Sequence, residues 1–165
     1  MTQIFGDYND ALPTSEEYLI LGFSPTSIPL KQRWRNNGLS ADFLADYLTT
    51  FFPAHDSDQD SLMKQAEIKN AINYVANELL ENAMKFNDDT SSHPISVQLQ
   101  LLPNRIVFCI TNSVSRSNML KFQEFIQQMI NSDPQELYLR LLEENADDEH
   151  CNHSRLGLLT MLNDY

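Results

Sequence analysis

The sequence predicts an α+β protein, a two-layer sandwich in which a mixed, mostly antiparallel sheet carries helices on one face. Three observations point there. The runs ISVQLQLL (Ile95–Leu102) and RIVFCITNS (Arg105–Ser113) are separated only by Pro103-Asn104, the pattern of a hairpin. The first run alternates apolar and polar residues and the second is nearly all apolar, as expected when helices cover one face of a sheet. Around the hairpin, helix-period patterns give the order β-α-α-β-β-α-α-α.

The elements follow in order. Residues 1–17 are mostly polar, and EYLILGFSP (Glu17–Pro25) reads as an apolar strand stopped by proline. PTSIPLKQRWRNNG, with two prolines, reads as a loop. Ser40 reads as the N-cap of a helix over Ala41–Phe52, with Phe43, Leu44, Tyr47, Leu48 and Phe51 at helical spacing and Pro53 as its stop. The acidic connector AHDSDQD leads to a long helix over about Ser61–Phe86. After the hairpin, helices are expected over Asn118–Asn131 and Pro134–Glu144, then, beyond the acidic ENADDEH loop, from about Leu156. Residues 1–59 are expected to pack as strand, loop and helix on a core of residues 60–165. At 165 residues, one compact domain can bury such a core.

Composition narrows the function classes. A hydrophobic share of 42% and a charged share of 21% are ordinary for a globular chain. No apolar run approaches the roughly 20 residues of a membrane span, and MTQIFGDYND lacks the features of a signal peptide. Two cysteines do not make a disulfide framework, so the cytoplasm is the expected location, with no membrane contact. A net charge of −12 argues against nucleic acid, which needs a concentrated basic face. The basic cluster LKQRWR (Lys31, Arg33, Arg35) reads as a solvated loop, with Trp34 as its anchor.

The long helix raises the functional question. At about 100° per residue, Ile68, Ile72, Val75, Leu79, Ala83 and Phe86 share one stripe. Asn77 and Glu81 fall on the far side, as solvated residues do. Asn82 lies about 60° and Glu78 about 100° from the middle of the stripe, at the margin of the buried face. A carboxylate there needs a partner. One arrangement has Lys85 neutralise Glu78 while Asn82 caps a neighbouring backbone group. The other is a cleft with a metal-binding amide oxygen, a base and a cation a turn apart.

NYVANELLENAMKF resembles the N-box helix of the Bergerat-fold (GHKL) ATPases, which include DNA gyrase, sensor histidine kinases and anti-sigma-factor serine kinases. The matching positions are Glu78, Asn82-Ala83 and Lys85-Phe86. RIVFCITNS is similar to the strand that ends in the family's adenine-binding Asp-x-Gly-x-Gly box, and SRLGLLTML to its Gly-x-Gly-Leu turn. The resemblance covers residues 60–165 and implies a Bergerat-like fold. It implies that Asn82 binds Mg²⁺ on ATP phosphates, Glu78 acts as general base, and Lys85, Asn112 and Gly157 contact the nucleotide. The departures are specific. Thr111-Asn112 stands where the adenine-binding Asp is expected, SVSRSN follows without glycine, and Arg155 replaces one glycine of the second box. Asn112 still offers one acceptor, but phosphate-binding loops need glycine for close approach.

The regulatory branch matches best. EYLILGFSPTSIPLKQRWRNNGLSADFLADYLTTFF is similar to cyanobacterial regulators related to SiaB-type kinases. That resemblance implies an ATP-dependent serine/threonine kinase-like regulator of a STAS-domain partner, with a PP2C-type phosphatase in its pathway and a homodimer as its form. The alternative is a degenerate module that sequesters a partner without binding ATP or transferring phosphate. Three features outside the match read more plainly. HCNH (His150–His153) offers metal-ligand types without a second ligand pair, Cys109 reads as core, and the Met and Phe residues of MLKFQEFIQQMI also read as core.

Overall fold

The computed structural model describes residues 3–6, 15–24, 30–54, 58–146 and 153–165, without the side chains of 30–36, 145–146 and 153–154. The order is β1 (Tyr18–Phe23), α1 (Leu30–Thr49), α2 (Gln59–Lys85), β2 (Ile95–Leu102), β3 (Arg105–Thr111), α3 (Arg116–Asn131), α4 (Pro134–Ala146) and α5 (His153–Asp164). The α+β class and the element order agree with the sequence pattern.

The chain divides into two packed units, Ser15–Ser113 and a second formed by Met1–Thr14 with Val114–Tyr165. The division falls just after the hairpin. In the first unit the strands lie in the order β1-β2-β3. Both pairings are antiparallel, so the sheet of the described residues is not mixed. Register explains its apolar face. Leu19 opposes Leu99 and Leu21 opposes Val97, while Val97 and Leu99 also oppose Ile110 and Phe108. These side chains share one face because strand side chains alternate. Ala41, Leu44, Ala45 and Leu48 of α1 and Ile72, Ala76 and Leu80 of α2 are buried with Val97 and Leu99. Asp42 with Asn73, and Asp46 with Lys69, bridge α1 and α2 at the exposed rim of this core. The descending partner numbers make the two helices antiparallel.

Two helix expectations change. The helix begins at Leu30, so much of the segment read as a loop is helical and Ser40 lies inside α1 rather than capping it. Pro25 and Pro29 lie outside the described residues, and α1 itself contains no proline. Gly38 is exposed and a Cβ there would meet nothing, so it interrupts no packing. Phe43, at helical spacing with the buried Leu44 and Leu48, is 51% exposed and stacks on Tyr47 at 6.3 Å between ring centroids.

Side-chain caps start α2, α3 and α4. Asp58 accepts from Asp60 N at α2, and Ser115 accepts from Asn118 N at α3. Asp133 Oδ1 accepts from the N–H groups of Gln135 and Glu136, both at 3.0 Å, with Pro134 in the first turn of α4. In the second unit Phe125, Leu137, Leu141 and Leu159 form the buried cluster. The expectation that the Met and Phe residues of MLKFQEFIQQMI are core holds for Phe125, with Met129 half-buried against its cluster. It fails for Met119 and Phe122, which are exposed.

Candidate functional site

The C-terminal half of α2 carries three of the five residues singled out. Its buried stripe is Ile72, Ala76, Leu80 and Ala83, with Met84 beside it. That direction is rotated by about 60° from the stripe the sequence predicts. Leu79 and Val75 are only half-buried. Measured from Ala76, Asn82 points about 120° away and Glu78 and Lys85 about 160–180° away. Glu78 and Asn82 thus lie not at the margin of the α1–sheet core but on the opposite side of α2.

That side is not simply solvated. Both Oδ1 and Nδ2 of Asn82 are buried and have no hydrogen-bond partner among the described residues. A buried amide with neither group satisfied is costly, and such groups concentrate where a water, ion or ligand is held. Burial pushes the Glu78 carboxyl above its usual range, and the neighbouring Glu81 charge adds to this. Asn77 and Glu81 are half-buried rather than exposed, and Asn77 Nδ2 donates to Glu81 Oε1 at 3.2 Å. Lys85 extends its ammonium over the Phe86 ring, 5.8 Å from the centroid. Base, amide and cation therefore succeed one another over two turns at the end of α2.

A polar tie joins this end of α2 to the end of β3. The buried Asn87 accepts from Ser113 N through Oδ1, at 3.3 Å. Asp88 N donates to Ser113 O at 2.8 Å, and the hydroxyls of Ser91 and Ser113 meet at 2.7 Å. Asp88 Oδ1 accepts from the hydroxyl and N–H of Thr90, which hold its carboxyl below the ordinary value. Asn112 is carried into this tie, its Nδ2 at 3.4 Å from Ser113 O, the weak end of hydrogen-bond geometry. Sequence reasoning missed Asn87 and Ser113. The signal was NDDTSS directly after a helix, a run of side chains that bond to local backbone.

The remaining residues stand apart. Gly157 is buried within α5, in the second packed unit. It sits in the second turn of a helix begun at His153, not at a loop-to-helix turn near Leu156. Arg155, in a lost glycine's place, lays its guanidinium 5.4 Å from the Phe125 ring centroid. Cys109 is half-buried and opposes Gln98 on the sheet face away from α1 and α2, because its register differs by one from Phe108 and Ile110. Residues 150–152 of HCNH, and the side chains of His153, Lys31, Arg33, Trp34 and Arg35, lie outside the described residues. Among the described residues, no three His, Cys, Asp or Glu side chains group to hold a metal. Asn82 Oδ1, hard and unpartnered, fits a Mg²⁺ that takes its other ligands from phosphates and water. No described helix is long and apolar enough to cross a membrane.

The raised Glu78 carboxyl has a stability consequence. The folded state binds this proton more tightly than the unfolded chain does, so stability falls as pH rises through the raised value. Glu78→Gln is expected to raise the thermal midpoint at pH 7. The gain should vanish as pH falls below the unfolded carboxyl range, where both forms are neutral. A midpoint lowered by Glu78→Gln at pH 7 would show a carboxylate held by a partner.

No family model matches the chain, and no curated protein or solved structure matches it.

Proposed function

We propose that this chain is a bacterial signalling regulator of the Bergerat ATPase type, an ATP-dependent serine/threonine kinase-like switch acting on a STAS-domain partner. The observation that carries this reading is the doubly unpartnered, buried amide of Asn82, one turn from a carboxyl whose proton affinity is raised. Glu78 would accept the proton of a partner hydroxyl. The hydroxyl oxygen would then bond to the γ-phosphorus of ATP as the bond to the bridging oxygen breaks and ADP leaves. A carboxylate with a raised pKa is, once ionised, a better proton acceptor. Asn82 Oδ1 would hold Mg²⁺, which supplies charge neutralisation on the phosphates. Lys85 would add a second positive charge, and Asn112 an acceptor for the adenine amino group. Phosphoryl transfer asks mainly for positioning and charge compensation, so this short set is enough for slow chemistry. A PP2C-type phosphatase would reverse the modification.

A second reading has its own observation. Gly157 lies within a helix, and a helical interior offers no free backbone N–H groups to wrap a phosphate. This favours a degenerate module that sequesters its partner without nucleotide. Calorimetric titration with Mg-ATP separates the two. The kinase reading expects heat for the wild type and none for Asn82→Ala, and labelled phosphate on the partner that is lost with Glu78→Ala. Absence of heat in the wild type, with partner binding intact, establishes the second reading.

A further inference from the structure

We propose that β1 pairs edge to edge with β1 of a second copy of the chain, antiparallel about a two-fold axis at Ile20, so that two three-stranded sheets become continuous. The proposal is independent of nucleotide binding. It begins with a hydrogen-bond phase. Leu101 N donates to Glu17 O at 3.0 Å, and Leu19, Leu21 and Phe23 follow as partners of Leu99, Val97 and Ile95. Alternation along an antiparallel pair then turns the N–H and C=O groups of Tyr18, Ile20 and Gly22 away from β2. Among the described residues, β1 pairs with β2 alone.

Edge strands are normally blunted by a charge, a proline or a bulge. YLILGF has no charge and no proline, and its register with β2 is unbroken from Tyr18 to Phe23. Tyr18 and Ile20 are 57% and 55% exposed on the face away from the core. Such an edge is a template for another strand.

Three features select a second copy as that strand. The axis at Ile20 sets Ile20 against its own copy, so two exposed branched side chains cover each other. It also sets Tyr18 against Gly22 of the copy, and Gly22 against Tyr18. Gly22 is exposed, and a Cβ there would meet only Ile95 O, at 4.0 Å. The bare glycine backbone therefore leaves room for the tyrosine ring, a favourable cross-strand combination. The third feature is charge. Glu16 and Glu17 precede the strand, and antiparallel pairing sends the two acidic pairs to opposite ends of the ribbon. Parallel pairing would place them side by side. In a chain of net charge −12, association is favoured only where like charges are kept apart. Pairing of the three outward residues would form about six backbone hydrogen bonds.

Sedimentation velocity on the full chain over a wide concentration range tests this. The wild type is expected to sediment as a dimer. Ile20→Lys, on the exposed face, should raise the dimer dissociation constant by about 100-fold or more while leaving the circular dichroism spectrum unchanged. Residues paired across the axis have Cα atoms about 5.5 Å apart, within disulfide reach. Oxidised Ile20→Cys should therefore form a covalent dimer that the wild type, with its native cysteines, does not form. A wild type monomeric at every concentration overturns the proposal. So does a dimer that survives Ile20→Lys, or an Ile20→Cys chain that cross-links no better than the wild type.

Discussion

Replacing Leu80 with alanine should lower the free energy of unfolding by about 3 kcal/mol, within the 2–5 kcal/mol range of buried leucine truncations. The same change at Leu79 should cost less than half as much. Leu80 is 1% exposed and sits in the cluster with Leu44, Ile72, Val97 and Leu99, where α1, α2 and the sheet meet. Removing its side chain leaves a cavity that three elements would have to move together to fill. Leu79, one residue and about 100° away, is half-buried, and its site can relax toward solvent. Urea denaturation measures both values, provided the slope with denaturant is unchanged. A larger loss at Leu79 than at Leu80 would mean that α2 turns a different face to the sheet, and the position of Asn82 would change with it.

That comparison also marks the limit of what the pattern in α2 could say. The existence of the helix was plain from its length and period, and the hairpin from alternation around Pro103-Asn104. The rotation of α2 was not. Apolar residues occur at Ile68, Ile72, Val75, Leu79, Ala83 and Phe86 and also at Ala76, Leu80 and Met84, so about half the circumference is apolar. Periodicity cannot choose between two stripes about 60° apart when both are populated. Burial distinguishes them: Ala76 and Leu80 are buried, while Val75 and Leu79 are only half-buried. The start of α1 was hidden for a related reason. Pro25 and Pro29 are loop signals, but they govern only the residues before Leu30, and KQRWRNN has no breaker of its own.

The candidate site was legible in its residue types and less so in its surroundings. Glu78 and Asn82 stood out because polar side chains recur a turn apart beside apolar ones. The burial of the Asn82 amide could not be inferred from helix periodicity, which put this residue at the margin of a different stripe. The same holds for Asn87 and Ser113, joined across 26 positions. Gly157 shows the converse error. A glycine followed by an apolar run fits a turn into a helix, but glycine is also tolerated inside a helix at a modest cost of about 1 kcal/mol. Burial of Gly157 within α5 indicates a packing role there.

The sharpest expectation follows from Asn82 itself. Asn82→Leu should stabilise the protein by about 1–3 kcal/mol while abolishing any heat of Mg-ATP binding. Asparagine and leucine branch at the same carbon, so the replacement keeps the shape near the backbone and removes two buried polar groups that have no partner. Their desolvation costs free energy in the folded chain and nothing in the unfolded one. A residue kept for packing would show the opposite sign, because a larger side chain in a satisfied polar niche crowds its neighbours and strands their hydrogen bonds. Denaturant unfolding without nucleotide gives the stability term, and titration of the same preparation gives the binding term. Greater stability with loss of binding is the signature of a group strained for a ligand. Lower stability would mean that the amide is satisfied in solution, and the case for a metal-binding oxygen at this position would fall with it.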